Sequence, residues 1–506
     1  MRRTLGVLVV ALLALLAMAW PASGASRGSG AAPTPSRTDR VDRVDFNGDG
    51  FDDLAVGASG EAVGAQVSAG AVNVLYGSPD GLAGANQTIV QGNPEAGDSF
   101  GTALAKHDFN GDGFIDLAVG APQETLGAAV DTGAVTVFYG GPDGLPTSGG
   151  QVLTQGNVED FDFFGGAMDA GFFDDDAYAD LAVGASGENV AGQGGGTGAV
   201  NVFYGSADGL AATSQVLTQA NPEGGDNFGA AVVAGSFNGT GGDDLAVGAP
   251  GEDVGGAVAA GAVNVFYATP GGLSGNSQTR VQGNPELGDL FGSSLAAGFL
   301  DGDDDQELAA GAPGETVGGQ QAAGAVNVFA GSANGLLMAS SVLTQSPGSG
   351  GVVEETDEFG AALASGPFND DAFWDLAVGV PGEGLGTRPS AGVVQVVFGA
   401  DTGPAGIDQT LSQDTPGVPG LAESFDRFGD ALARGVSFNN FNGDGFADLA
   451  VGVPLEGVGA AQFAGAVNVL YGAAAGLTGS GSQQFTQGAG TGGLAESFDN
   501  FGRSLD

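Results

Sequence analysis

Two nine-residue stretches of this chain are built almost entirely from oxygen donors and glycine: Asp45-Phe-Asn47-Gly-Asp49-Gly-Phe-Asp-Asp53 and Asp108-Phe-Asn110-Gly-Asp112-Gly-Phe-Ile-Asp116. Side-chain oxygens stand at positions 1, 3, 5 and 9 of each, glycine at 6 permits a sharp turn, and the carbonyl at 7 (Phe51, Phe114) is available as a further ligand. Alternate placement on a curling loop turns these oxygens inward. Hard donors, several of them carboxylates and none of them Cys or His, predict a Ca²⁺ site and not zinc or copper. An EF-hand opens in the same way but needs a bidentate Glu at position 12, where this chain has Val56 or Val119 in an apolar run. The expected setting is a β-hairpin.

Five further copies are less complete. The third offers Asp174, Asp176 and Asp180, the fifth Asp301, Asp303 and Glu307, and the sixth Asn369, Asp371 and Asp375. The seventh, Asn440, Asn442, Asp444 and Asp448, keeps all four positions with fewer charges, and the fourth has only Asn238, the Thr240 hydroxyl and Asp244. Affinity rises with carboxylate count and ligand completeness. Occupancy is therefore expected to be highest in the first, second and seventh loops and lowest in the fourth, with three to seven Ca²⁺ ions per chain. Asn, Asp and Gly also favour turns for their own reasons, so an isolated copy of this pattern could be turn chemistry alone.

The loops are in phase within a larger repeat. Their ninth positions, Asp53, Asp116, Asp180, Asp244, Glu307, Asp375 and Asp448, are 63, 64, 64, 63, 68 and 73 residues apart, a spacing that means stacked copies of one unit. Each loop leads into an apolar run such as Asp53-Leu-Ala-Val-Gly-Ala58, then an alternating one such as Gly70-Ala-Val-Asn-Val-Leu-Tyr-Gly77. A turn (Pro79 to Leu82) and a run typified by Ser214-Gln-Val-Leu-Thr-Gln219 follow, and a Phe-Gly segment supplies a fourth strand. Four short strands repeated seven times predict an all-β chain, a seven-bladed β-propeller of four-stranded antiparallel blades. The first loop has no Phe-Gly strand before it and Phe501-Gly-Arg-Ser-Leu505 has no loop after it, so the C-terminal strand is expected to complete the first blade and close the ring.

The Phe-Gly segments, the DxNxDGxxD loops and the VGAP sequences at Val119 to Pro122 and Val247 to Pro250, with VGVP at Val378 to Pro381 and Val451 to Pro454, resemble FG-GAP repeats. Such repeats build the seven-bladed head of integrin α subunits and occur in many secreted bacterial proteins. The resemblance covers about Val41 to Asp506. It implies Ca²⁺ held by the loop carboxylates on one face and a partner met by the loops of the other. The chain departs from the pattern where position 1 is Phe172, Ser236, Phe299 or Pro367, and it lacks the leg domains, membrane span and cysteines of an integrin subunit.

Composition sets the remaining bounds. The formal net charge of −48 repels nucleic acid and anionic lipid, and the absence of Cys excludes a disulfide framework. Arg2 and Arg3, a 16-residue apolar run from Leu5 to Trp20 and the small residues around Ala22 to Ala25 read as a signal peptide over residues 1–25, with a disordered leader at 26–40 and the propeller at 41–506. The mature chain is expected to be a secreted, extracellular monomer without a membrane span. Its sole histidine, His107, adjoins a calcium loop, and no P-loop or HExxH sequence occurs, so an enzyme is not expected. The functional reading is a calcium-binding, adhesion-like module for a protein or glycan. The alternatives are a carbohydrate-active hydrolase or lyase and a structural surface or matrix component. A glutamate after each VGAP-type run (Glu61, Glu124, Glu188, Glu252, Glu315, Glu383, Glu456), with acids such as Glu95 and Asp98 before the Phe-Gly segments, marks the face opposite the calcium loops either as an acidic rim for a partner or as loops stabilised by hydrogen bonds.

Overall fold

Seven four-stranded antiparallel sheets make up the computed structural model, which describes residues 44–82, 86–345, 352–433, 439–488 and 494–506. The expected signal peptide and leader lie outside the described residues. In the second blade the strands run outward from the centre as Leu104–His107, Asp116–Ala121, Ala134–Phe138 and Gln151–Leu153. The aspartate loop joins the first strand to the second in six blades and leads into the second strand of the first blade. Because successive strands reverse direction, all seven aspartate loops fall on one face, here the loop face, together with the turns that join third strands to fourth. The connections from second to third strand, and from one blade to the next, fall on the opposite, far face.

The ring closes as its ends require. Ser504–Leu505 pairs antiparallel with Leu54–Ala58, placing Leu505 opposite Val56, so the last strand is the innermost of the first blade. Ser504 Oγ then donates to the Gly101 carbonyl at 2.6 Å. Lys106, the only lysine in the sequence, lies 2.9 Å from Asp506, and both side chains are largely buried. The closure is thus strand pairing reinforced by one ion pair between the first two blades.

The apolar second and third strands bury both faces because each sheet is packed between two others. Seven core clusters result, and their members come from adjacent blades; Val56, Leu75 and Leu505 of the first blade, for instance, pack with Val467, Val469 and Phe485 of the seventh. The Phe-Gly dipeptide is not itself strand, contrary to the sequence expectation. It precedes the innermost strand, where Phe100, Phe164, Phe228, Phe291, Phe359, Phe428 and Phe501 are all completely buried. Four of them cross the third-strand phenylalanine or its equivalent with ring centroids 6.0 to 6.2 Å apart, as for Phe228 on Phe266. The glycine explains why no strand can begin there: Gly229 has φ +89°, and a Cβ on it would sit 2.7 Å from the Ala199 carbonyl oxygen.

Removing one of these rings should loosen a junction between two blades. Phe228→Ala is expected to cost about 3–5 kcal/mol in urea unfolding, whereas Phe228→Leu costs less. An unchanged midpoint for the alanine variant would show that the Phe-Gly ring is not a core residue.

Candidate metal centre

Each aspartate loop is pinned at two points, of which the sequence marks only the acid at position 9. Position 2 is apolar in every copy, and Phe46, Phe109, Phe173, Phe237, Leu300, Phe368 and Phe441 are each buried in a different interblade core. Its recurrence was visible in the sequence, but beside so many oxygen donors it carried no chemical signal.

The second pin is the acid at position 9, which is buried in all seven loops. Its two oxygens accept backbone N–H groups from two directions. Asp53 Oδ2 accepts from Phe46, at position 2 of its own loop, and Oδ1 from Gly77 at the end of the third strand, both at 2.8 Å. The same pair of bonds recurs at Asp116, Asp180, Asp244, Glu307, Asp375 and Asp448. Asp244 is the informative case, because its loop has lost the acids at positions 1, 3 and 5 and yet keeps both bonds. Position 9 is therefore a staple between loop and blade in its own right, whatever it contributes to a cation.

Between the pins, positions 1, 3 and 5 turn oxygens toward the loop interior. Asp45 accepts the amides of Gly48 (2.6 Å), Asp49 (3.1 Å) and Gly50 (2.7 Å), Asn47 accepts that of Asp49 (2.9 Å), and Asp49 accepts that of Phe51 (3.0 Å). Asp108, Asn110 and Asp112 repeat these bonds to within 0.1 Å. Gly113, at position 6, takes φ +89° there, which supplies the predicted turn. In the seventh loop Asn440 and Asn442 both accept the Asp444 amide and Asp444 accepts that of Phe446. The third and fifth loops keep the shorter ladder through Asp174 and Asp176, and through Asp301 and Asp303. Among the described residues, Asp301, Asp303 and Glu307 form the one acidic group whose oxygens all lie within 4.8 Å of one another. The glutamate, one methylene longer than aspartate, reaches further into its loop.

The sixth and fourth loops differ in the sign of what faces position 9. Asn369 still accepts the Asp371 amide at 2.7 Å, but its Nδ2 lies 3.4 Å from Asp375 Oδ1. In the fourth, Thr240 turns both its N–H and its hydroxyl onto Asn238 Oδ1, and Asn238 Nδ2 points at Asp244 Oδ1 at 3.3 Å. An amide N–H occupies the place where a cation would meet the carboxylate. The fourth loop is closed on itself.

Burial raises the position 9 carboxyl in complete and incomplete loops alike, Asp180 and Asp375 to about 7 and Glu307 to about 8 among them. Burial pushes Asp53 up to about 8 against the pull of its two amides, and Asp45 and Asp49 add to that push. Burial likewise raises Asp116 to about 7 and Asp448 to about 8, each with acidic loop neighbours acting in the same direction. A buried carboxylate surrounded by further acids lacks a positive charge to balance it. The all-oxygen donor set fits a hard divalent cation that would supply it, held by positions 1, 3 and 5 with position 9 behind them. His107 is engaged elsewhere: Nδ1 accepts the Asp108 amide at 2.9 Å and the ring meets Phe172 edge-on at 4.9 Å.

The far-face glutamates are not a free acidic rim. A glutamine at the end of each outermost strand donates Nε2 to the glutamate of the next blade at 2.7 to 2.9 Å, from Gln91 to Glu124 round to Gln487 to Glu61. The acids before the Phe-Gly segments, Asp98, Asp162, Asp226, Asp289, Asp357, Asp426 and Asp499, are buried and accept the amide three residues upstream. The hydrogen-bonding reading of these acids is the one the geometry supports.

Comparison with known proteins agrees with the repeat. The FG-GAP repeat family matches residues 40–75, 100–138, 291–329 and 435–470, so the chain carries FG-GAP repeats in four of its seven blades by that measure. It is similar to phosphatidylinositol-glycan-specific phospholipase D of Rattus norvegicus, 40% identical over 113 residues, which are 22% of this chain and 13% of that protein. It is also similar to integrin alpha-PS5 of Drosophila melanogaster, 35% identical over 165 residues, 31% of this chain and 16% of that one. The likeness therefore spans about a seventh of these relatives' length. Among solved structures, an exotype rhamnogalacturonan lyase aligns over 77% of this chain and 67% of its own at 11% identity with a TM-score of 0.36, too slight a likeness to carry an argument.

The two roles within a loop separate by mutation. Asp116→Ala removes the staple and should cost about 3 kcal/mol of stability with or without calcium, since two charge-assisted hydrogen bonds are lost. Asp112→Ala should lower the melting temperature in calcium and leave it unchanged in chelator. Equal losses in both conditions for Asp112→Ala would remove it from any metal centre.

Proposed function

We propose that this chain is a secreted, calcium-loaded propeller that binds an extracellular protein or glycan through its far face. Calcium belongs to the loop face, where it is held by Asp45, Asn47 and Asp49 in the first loop and by their counterparts in the others except the closed fourth. Its chemistry is that of a charge balance for clustered carboxylates. One site at a hundred times its dissociation constant adds roughly 2.7 kcal/mol to folding, so several together rival the stability of an ordinary domain. The ions rigidify the ring, and the ring presents the far face.

The observation that carries the binding role is where apolar side chains are left in water. Among the described residues seventeen large apolar side chains are exposed, and twelve of them lie in the far-face connections. Backbone and ring contacts tie together the loops that carry them. Phe161, 53% exposed, follows Val130 through a 2.9 Å backbone bond, and Phe498, 59% exposed, stacks obliquely on Phe463 with ring centroids 5.4 Å apart. Leu494 and Leu421 stand out further still, the latter in the connection that carries Phe425. Apolar groups gathered on one face are the usual mark of an interaction site, and aromatic ones suit either a protein anchor or the face of a sugar ring. No helix among the described residues is long and apolar enough to cross a membrane. The extracellular setting is supported by the likeness to integrin alpha chains and by the signal-like N-terminus.

Screening the calcium-loaded full chain against a glycan array and a panel of extracellular proteins tests the proposal. A partner found in this way should bind the double variant Phe161→Asp/Phe498→Asp at least about thirtyfold more weakly, the loss of some 2 kcal/mol expected of interface anchors, with no change in melting temperature. A partner indifferent to both substitutions, or turnover of a glycan by the parent chain, would contradict it.

A further inference from the structure

The junctions between blades on the far face place a buried aspartate and, in most cases, a half-buried glutamate around a single amide. Where the first blade meets the second, Gln91 Nε2 donates to Asp98 at 2.6 Å and to Glu124 at 2.8 Å. The amide's two hydrogens face three acceptors, because the Asn93 carbonyl also lies 3.2 Å from Nε2. Asp98 and Glu124 also face each other directly, as do Asp226 and Glu252, and Asp289 and Glu315. The deficit shows in the accounting of buried atoms. Asp162 Oδ1 and Asp289 Oδ1 have no hydrogen-bond partner among the described residues, and the side-chain oxygens of Gln219, Gln282, Gln345, Gln413 and Gln487 share that condition. Two buried carboxylates in contact repel each other, and a proton held by one supplies the missing donor and removes one charge.

We propose that these junctions are proton-operated latches: in each, the aspartic and glutamic acids together hold one proton, which ties neighbouring blades on the far face and is released as the pair ionises. The glutamine-to-glutamate bond recurs at every junction; the same amide also reaches the aspartate at Asp98, Asp162 and Asp289, and at the ring-closing junction Asp499 faces Glu61. The latch is independent of the metal loops, which lie at the other ends of the strands, and of the function proposed above.

The charges around the latches act in the required direction. Burial pushes Glu124 up to about 7, with Asp98 and Glu95 adding to it and Gln91 pulling back. Glu61 is raised to about 7 by burial, with Asp499 and Glu496 facing it, and Glu315 likewise beside Asp289 and Glu286. Glu383 faces Asp357 and Glu354, Glu456 faces Asp426 and Glu423, and burial raises both to about 7. Arg388 acts on Asp426 in the opposite sense. A carboxyl whose value is higher in the folded chain than in the unfolded one stabilises the fold fully below the unfolded value, near 4.5 for glutamate, and loses that contribution as pH rises through about 7. The ring should therefore tighten on mild acidification.

The test compares the full parent chain with E61Q/E124Q/E315Q/E383Q/E456Q, in which a neutral amide replaces each titrating acid and, like the protonated acid, offers a donor. Both are unfolded in urea from pH 5 to pH 8.5 at one fixed calcium concentration, so that the aspartate loops contribute equally to the two curves. The folding equilibrium constant of the parent should fall at least about tenfold more than that of the variant across this range. Parallel profiles would overturn the proposal. So would a parent whose extra loss at high pH vanishes when calcium is raised while the variant is unaffected, since a cation would then be holding the acid pairs. Should the fivefold variant fail to fold, E61Q alone carries the same comparison at the ring-closing junction, with a smaller but same-signed difference expected.

Discussion

A single buried carboxylate per blade holds the loop face together. At position 9 of each loop it accepts one amide from the start of the loop and one from the end of the third strand, so it joins the first hairpin of a blade to the strand beyond it. Burying a charge is costly unless it is hydrogen-bonded and balanced. The two amides meet the first need, and the acids at positions 1, 3 and 5 worsen the second. That tension links sequence to function: the staple fixes where the loop lies, the neighbouring acids make it a place that gains from a cation, and the fourth loop, which has exchanged those acids for Asn238 and Thr240, relieves the same tension with an amide N–H.

The propeller separates its two chemistries by strand direction. Oxygen donors collect where first strands turn into second strands, and exposed apolar groups collect at the other ends of the same strands. Between the faces the Phe-Gly rings and apolar strands pack each blade against the next, and at the far face a glutamine reaches from each blade to a glutamate of its neighbour. Each blade thus contacts its neighbours by core, backbone and side-chain bond in turn. Lys106 and the final strand do for the ends of the chain what these contacts do elsewhere.

Much of this could be read from the sequence because the repeat multiplies a weak signal seven times. One DxNxDG string is compatible with a turn; seven acids at nearly constant spacing, each followed by an apolar run, leave little besides stacked β units, and the unmatched ends gave the manner of closure. Strand boundaries were less legible. Phe501-Gly502 looked like strand, but Gly502 has positive φ, Phe501 makes an isolated bridge to Gly465, and the strand itself is Ser504–Leu505. The role of position 9 was half visible: its type signals a metal ligand, whereas its bonds to Gly77 and its counterparts depend on residues some 24 positions away. The glutamines of the outermost strands carried no local pattern pointing to the next blade's glutamate, since that contact exists only once the sheets are packed side by side. The apolar far face was hidden for the same reason, because whether Phe161 or Phe498 is core or surface depends on tertiary placement.

Thermal melting of the chain across a calcium titration, with bound metal counted on the same sample, is the most direct test of cation-balanced loops. The melting temperature should climb steeply with calcium and reach its plateau at three to seven ions per chain. A chain that binds no calcium and melts at the same temperature in chelator would reduce the acids at positions 1, 3 and 5 to turn formers, leaving the staple at position 9 and the propeller without a metal.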